Sequence, residues 1–458
     1  MLNLKLSDVA LWTHGALRGD DVVVRGVFTD TRAPLPGALF VALRGERFDG
    51  HDYVAAARQA GAAAALVARP LAADLPQVIV ADTTLALGDL ASAVRASRRA
   101  RVVGITGSNG KTTVKTLLAS ILALHGRTHV NAGNLNNEFG LPLSLLALPE
   151  DAEYAVLEMG AGKPGDIAYL AAIARPEIGL VNNIAPAHLE RMGSLEGIAE
   201  TKGAMYSALP AHGVAVVNAD DAFAPLFAKL AGARRVIRFG LRADADVCAE
   251  TIVLHPQRAE FALIMPAGRC ELTLPLPGRH NVMNALAAAA LACALDVPLA
   301  IIRRGLESAS GVKGRLQRYA MSGGWTLIDD SYNANPGSTA AAIAALIDEP
   351  GEAWLVLGDM RELGAGAAQL HAEVGALARA SGVERLYSVG ALAAEAATAF
   401  GQGARHFADQ PELISALRAD VRAGVSILVK GSRGSAMERI VEALRGKSNG
   451  NGGTRHAA

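Results

Sequence analysis

Apolar residues along the chain gather into short runs separated by stretches with helical spacing. In residues 1–98 the runs VVVRGVFTD, GALFVAL, AAALVA and QVIVAD read as strands, and YVAAARQAG reads as a helix. Residues 99–312 alternate strand-like runs (VVGIT, YAVLEMG, IGLVNNI, VAVVNAD) with helical stretches, which predicts a mostly parallel sheet covered by helices on both faces. Pro275-Leu-Pro277-Gly278 breaks the chain before a long helix, HNVMNALAAAALACAL. GVKGR (311–315) reads as a hinge. Residues 313–446 alternate again, with WTLIDD, AWLVLGD, RLYSVG and SILVKGS as strands, which predicts a second, Rossmann-like α/β sheet. The expected organisation is three α/β domains: a small mixed domain at 1–98, a central domain at 99–312 and a C-terminal domain at 313–446. A disordered polar tail is expected at 447–458. The basic run RASRRAR (95–101) is expected to be a solvated linker between the first two domains.

Composition narrows the classes. The 458 residues are 51% hydrophobic, enough for several large cores, and alanine supplies much of that figure. Lys plus Arg and Asp plus Glu are 44 each, so the basic excess of a nonspecific nucleic-acid binder is absent and no nucleic-acid partner is expected. The richest apolar run, Ala285–Leu295, is too short to span a membrane. The opening MLNLKLSDVALW lacks a basic start followed by an apolar core, which argues against a signal peptide. Cys248, Cys270 and Cys293 are scattered and fit neither a disulfide framework nor a zinc site, so a cytoplasmic setting is expected. A monomer is the expected oligomeric state.

The chemistry concentrates in RVVGITGSNGKTT (101–113). A β-branched run, a glycine-rich turn and a helix with Lys-Thr at its start make a phosphate cradle. In it Gly107, Ser108, Asn109, Gly110, Lys111, Thr112 and Thr113 would hold a nucleotide. Lys111 would reach the terminal phosphates and a threonine hydroxyl would ligate Mg²⁺. The pattern G-x-x-x-x-G-K-[ST] is broken at Ile105, because the glycines stand at 104, 107 and 110. Other candidates end neighbouring strands, where ligands collect in parallel sheets. Glu158 in LEMG suits Mg²⁺ or a helix cap. His188, in NNIAPAHLE, suits a metal, a substrate carboxylate or a structural role. Asn281 and Asn284 share one helix face and suit a base edge, with helix capping the plainer reading of Asn281. Asp330, in DDSYNANP, suits ribose or a second substrate, and Arg315 a phosphate. Lys202, in SLEGIAETKGAMY, reads locally as a solvated surface lysine.

GITGSNGKTT, GNLNNEFGLP (133–142), LEMGA, NNIAPAHLE, ETKG, GRHNVMNALAA, KGR and DDSYNANP occur here in the order found in the Mur ligase family, which residues 25–440 resemble. NANP after DDSY is similar to the members that add D-alanyl-D-alanine, and no DNPR-type motif of the diamino-acid-adding members occurs in the third domain. TDTR (29–32) and PGALFVALRGERFDGH (36–51) resemble the segment that holds UDP in this group, which implicates Thr31, Arg32 and Asp49.

The resemblance implies an amide ligase using ATP and Mg²⁺ that joins D-alanyl-D-alanine to UDP-N-acetylmuramoyl-tripeptide through an acyl phosphate. It implies catalytic roles for Lys111, His188 and Lys202. Thr112, Glu158, His188 and Lys202 would form the magnesium shell, with Lys202 carrying a carbamate. Asn281 and Asn284 would take adenine, Arg315 a phosphate and Asp330 the ribose. Asn134, Asn137, Tyr332, Asn333, Asn335 and Lys430 would meet substrate. Rival readings are another ligase of the family or a folate-type ligase, a P-loop kinase or NTPase, and a nucleotide-binding scaffold without catalysis.

Overall fold

The computed structural model describes residues 2–45, 48–242 and 244–446, so the tail at 447–458, expected to be disordered, lies outside the described residues. The described residues form three α/β domains, each built on its own sheet. The central sheet has nine strands in the order Gly268–Leu274, Ala259–Met265, Val247–Leu254, Arg235–Gly240, Val214–Asn218, Ile178–Val181, Arg101–Thr106, Tyr154–Glu158, Thr128–Val130. Seven run parallel and the hairpin 259–274 adds two antiparallel strands at one edge. From Arg101–Thr106 the chain crosses to one side of the sheet, then returns past it to Ile178–Val181. Its carboxyl end is therefore a topological switch point, where α/β sheets bind ligands.

The central strands are buried on both faces, which is why they read as unbroken apolar runs. Val102, Val103 and Ile105 are fully buried. Gly104 and Gly179 sit side by side in register on adjacent strands. Together they leave a slot for Met205, which comes from the helix Leu195–Ser207. A Cβ at Gly179 would lie 2.8 Å from Met205 Cγ, and one at Gly104 would lie 2.9 Å from its Sδ. This key seats the helix that carries Lys202 against the sheet.

The C-terminal sheet has six strands in the order Gln317–Ala320, Thr326–Asp330, Val425–Lys430, Glu352–Gly358, Arg385–Val389, Ala404–Phe407, parallel except for the first pair. The first domain carries a five-stranded mixed sheet and a two-stranded one. Its helix Thr83–Ala96 packs against the central helices Gly140–Leu146 and Asp166–Ala174. One continuous apolar core therefore runs from Leu2 through Leu87 and Leu90 to Leu145 and Leu170. The C-terminal domain keeps separate cores on the two faces of its sheet. No helix among the described residues is long and apolar enough to cross a membrane.

Three readings of the chain change. VVVRGVFTD is two strands in different sheets, Val23–Val24 and Val27–Phe28, parted at Gly26 where φ is +157°. RASRRAR is a riveted junction. Arg95 is buried and donates to Ala174 O at 3.0 Å and Arg98 O at 2.9 Å, while Arg98 reaches Leu148 O at 3.3 Å. Guanidinium groups that satisfy orphan carbonyls can lie inside an interface, and a charge count does not show this. Four strands of the central sheet between Arg235 and Leu274 extend it beyond the predicted ones.

Gly179→Val is expected to displace Met205 and cost about 1–3 kcal/mol of stability through overpacking. Urea denaturation of the two proteins measures this, and equal midpoints would mean the slot is not tight.

Candidate active site

The loop after Arg101–Thr106 turns at two glycines that admit no side chain. Gly107 has φ +142° and a Cβ there would meet Asn182 at 3.0 Å. Gly110 has φ +80°, and its Cβ would lie 2.3 Å from Asn284 Oδ1 and 2.5 Å from Asn182 Nδ2. The helix Lys111–Leu122 starts from Gly110 with no side-chain cap. The loop is held from outside by asparagines. Asn183 accepts from Asn109 N–H at 2.9 Å through its side chain and from Ser108 N–H at 2.8 Å through its carbonyl. Asn182 and Asn183 both donate to Asn109 O, at 2.9 and 3.2 Å, and Asn182 also donates to Asn284 Oδ1 at 3.1 Å. Ser108 and Asn109 therefore spend their N–H groups on the protein. Among the described residues the N–H groups of Gly110, Lys111, Thr112 and Thr113 have no partner. The anion-binding face is thus the open first turn of the helix.

Side chains complete that face. Lys111 Nζ lies across the loop, donating to Gly107 O at 2.8 Å and Ser108 O at 3.3 Å. Thr112 donates its hydroxyl proton to Glu158 at 2.8 Å and accepts from Arg315 at 3.0 Å. Arg315 lies over the Tyr332 ring at 4.5 Å, and its Nε is buried without a partner. Burial works against the Glu158 charge, yet the Lys111 and Lys115 ammonium groups, the Thr112 hydrogen bond and Arg315 hold its carboxyl below the usual value. Burial pushes the Lys111 pKa below its ordinary value, with the Glu158 carboxylate opposing.

Glu158 is also fixed by residues that the sequence reading did not single out. Asn131 accepts from Glu158 N–H at 2.9 Å, Asn136 donates to its side chain at 2.8 Å, and Lys115 stands 3.4 Å from it. Asn136 lies inside GNLNNEFG, between the two asparagines chosen there. Asn137 spends its side-chain oxygen on Gly140 N–H at 2.9 Å.

All three domains wall one cavity of about 1010 Å³ around this loop. From the central domain Ser108, Asn109, Gly110, Lys111, Thr113, Asn134, Asn137, Glu158, His188, Asn281 and Asn284 line it. Asn284 donates to Asn281 Oδ1 at 3.2 Å, so the two amides do share a face, and Asn281 also donates to Pro277 O at 2.7 Å. Arg315, from the connection between the domains, and Asp330, Tyr332, Asn333, Asn335 and Lys430 line it opposite. Lys430 donates to Asp330 at 2.5 Å and to Asn333 O at 3.0 Å. Asn335 caps the helix Pro336–Ile347 and donates to Asn109 Oδ1 at 2.7 Å, joining the C-terminal domain to the loop tip. The first domain adds Arg44 and Gly45.

Gly107, Thr112 and Lys202 are not among its lining residues, nor are Thr31, Arg32 and Asp49 of the first domain. Arg32 pairs with Asp30 at 2.6 Å. Asp49 is occupied by the N–H and ring of His51, which draw its pKa down to about 2. Glu46 and Arg47 of the same segment lie outside the described residues. His188 is turned toward Glu362 of the C-terminal domain.

Lys202, a surface lysine by local reading, is 1% exposed. No hydrogen bond from the described residues reaches its side-chain amine, and burial lowers its pKa to about 7. The Thr112 hydroxyl and the Glu158 carboxylate are a hard-oxygen pair at the helix start, the donor chemistry a divalent cation takes, while no cluster of three or more His, Cys, Asp or Glu side chains able to hold a metal occurs among the described residues.

Such an arrangement is that of a nucleotide-dependent enzyme working between domains, with phosphates at the helix start and acceptors across the cavity. The chain belongs to the Mur ligase family. Residues 23–95 match its "Mur ligase family, catalytic domain", residues 105–292 its middle domain and residues 314–433 its glutamate ligase domain. It is 47% identical over 448 residues to the UDP-N-acetylmuramoyl-tripeptide–D-alanyl-D-alanine ligase of Escherichia coli K12, covering 97% of this chain and 99% of the relative. Its fold is similar to that of MurF from Acinetobacter baumannii, with TM-score 0.93, 36% identity and coverage of 98% and 100% of the two chains. MurF from Thermotoga maritima in complex with ADP matches with TM-score 0.83 and 29% identity, over 93% of this chain and 98% of that one.

The depressed Lys202 pKa has a stability consequence of definite sign. The folded state refuses a proton that the unfolded chain, with a value near 10.5, still binds. The penalty is full below pH 7 and fades as pH rises to 10.5. In CO₂-depleted buffer Lys202→Met is expected to be more stable than wild type at pH 6.5, by on the order of 4 kcal/mol. The gap should shrink toward pH 10.5. Thermal denaturation across that range checks it, and a pH-independent gap would contradict a buried, neutralised amine.

Proposed function

We propose that this protein joins the amino group of D-alanyl-D-alanine to the terminal carboxylate of UDP-N-acetylmuramoyl-tripeptide, consuming ATP. The observation that carries the reading is the single cavity into which the phosphate-binding helix start opens, walled by all three domains. The full-length likeness to ligases of this name supports the choice of substrates. We assign the UDP end to residues 1–98, ATP to 99–312 and the dipeptide to 313–446.

The terminal phosphate of ATP lies against the free N–H groups of Gly110–Thr113, under Lys111. Arg315, whose Nη2 already meets Thr112 at the helix start, supplies a guanidinium beside the same phosphate. Asn281 and Asn284 present amides to the adenine, and Asp330 accepts from the ribose. The tripeptide carboxylate attacks the γ-phosphorus, ADP departs, and an acyl phosphate remains. Lys111 and Arg315 oppose the charge that develops on the moving phosphoryl group. Mg²⁺, when bound beside Thr112 and Glu158, neutralises phosphate charge. The dipeptide amine then attacks the acyl carbon, the tetrahedral adduct collapses, and phosphate leaves with the proton balance passing to solvent or a base. Asn134, Asn137, Tyr332, Asn333, Asn335 and Lys430 position the two peptides on either side of this step. A closed cavity keeps water from the acyl phosphate. Lys202, whose pKa burial lowers to about 7, has the free amine that a carbamate would require: CO₂ adds to its nitrogen, one proton passes to solvent, and the buried base becomes an anion.

ADP release should require UDP-N-acetylmuramoyl-tripeptide, and amide product should require D-alanyl-D-alanine as well. Steady ADP release without either would instead mark an NTPase. Lys111→Ala is expected to lose at least ~100-fold in ligation rate, about 3 kcal/mol of transition-state stabilisation, with an unchanged melting temperature. Activity within threefold of wild type would remove the loop from the reaction.

Thr31, Arg32 and Asp49 are assigned to the UDP end. Arg32→Ala should raise KM for the UDP substrate about 10- to 100-fold and leave KM for the dipeptide unchanged. Equal shifts in both would show that Arg32 supports the fold.

A further inference from the structure

Glu362 lies in GDMRELG, which follows the strand Glu352–Gly358 of the C-terminal domain. Its carboxylate meets His188 Nδ1 of the central domain. Both residues line the shared cavity. Both hold left-handed backbone, with φ +57° at His188 and +64° at Glu362, a conformation that ordinary side chains seldom adopt without compensating contacts. The two segments also touch through their backbones. Glu190 N–H points to Glu362 O at 3.5 Å, and a Cβ at Gly364 would come 3.4 Å from Glu190 Cα.

The segment is rigid on its own side. Met360 and Leu363 are buried. Met360 N–H donates to Nε2 of the buried His371 at 2.8 Å, and Arg361 N–H donates to Ser432 Oγ at 2.8 Å. The Glu362 carboxylate is therefore presented by a stapled loop.

We propose that Glu362 is a positioning residue that sets the tautomer and ring orientation of His188 only when the C-terminal domain is docked. A carboxylate can only accept, so Nδ1 carries the proton. With Nδ1–H committed to Glu362, Nε2 is the ring nitrogen left to the cavity wall, and in the neutral form of the ring it is an acceptor there, toward a cation or a polar substrate group. An isolated imidazole in water favours the opposite tautomer. Domain docking thus completes a side chain of the central domain with a group from the C-terminal one. A site that needs both domains for one histidine does not present that histidine correctly while it stands open to water.

The kinetic arm of the test rests on the ligase reading, whereas the spectroscopic arm does not. The full-length protein labelled with ¹⁵N-histidine and saturated with ADP is compared with Glu362→Ala and Glu362→Gln, His188 being assigned with His188→Gln. In wild type the His188 ring should show a protonated Nδ1 and a bare Nε2. Glu362→Ala should shift it toward the Nε2–H tautomer and lower kcat about 10- to 100-fold, with KM for the UDP substrate within threefold. Glu362→Gln, whose amide oxygen still accepts from Nδ1–H, should keep the wild-type tautomer and recover most of the rate. Unchanged His188 nitrogens in Glu362→Ala would overturn the proposal. So would equal losses in the two variants, or a shared fall in melting temperature that accounts for both. If the tautomer moves as expected but no variant, wild type included, makes amide, the ligase reading fails and the coupling stands.

Discussion

The structure turns on leaving four backbone N–H groups, those of Gly110 to Thr113, unpaired at the start of a helix. Buried N–H groups without partners are costly, so an open helix start persists only where its surroundings are otherwise satisfied. Here the neighbouring groups are satisfied by amides. Asn183 takes the N–H groups of Ser108 and Asn109, Asn182 and Asn183 take the Asn109 carbonyl, and Asn284 braces Asn182 against Gly110. Asparagine suits this task because one side chain both donates and accepts. The demand for glycine at 107 and 110 follows from the same contacts, since any Cβ would strike the asparagines that hold the loop.

The two flanking domains attach differently, and that difference organises the site. The first domain shares a continuous apolar core with the central one and is riveted by Arg95 and Arg98. The C-terminal domain meets the central one through polar pairs: Asn335 with Asn109, Arg315 with Thr112, Glu362 with His188, and Arg318 with Pro256 O at 3.0 Å. Apolar contact makes a fixed floor, whereas hydrogen-bonded contact can exchange with water. The domain that carries Asp330 and Lys430 is thus the one whose docking can admit ligands and then shut solvent out.

Much of this was legible in the chain. The cradle at 101–113 could be read because strand, glycines and helix are contiguous and each signal is local. Buried parallel strands such as Val425–Lys430 were legible as apolar runs. The strands between Arg235 and Leu274 were not, because they mix buried with exposed positions and carry charges such as Arg238, Glu250 and Glu271. Lys202 had no local mark of burial; only the family resemblance singled it out. Its burial depends on Met205 keying its helix to Gly104 and Gly179, a contact between distant segments. Glu362 was invisible for a related reason. Its meaning lies in a histidine from another domain, and neither residue announces the other.

In the proposed reaction one cavity carries both a phosphoryl transfer to the tripeptide carboxylate and an acyl transfer to the dipeptide amine. The most direct measurement is ligation with UDP-N-acetylmuramoyl-tripeptide bearing ¹⁸O in both oxygens of its terminal carboxylate. Passage through an acyl phosphate delivers one ¹⁸O to each molecule of inorganic phosphate and leaves the other in the new amide. Phosphate free of the label, with amide still formed, would contradict the account.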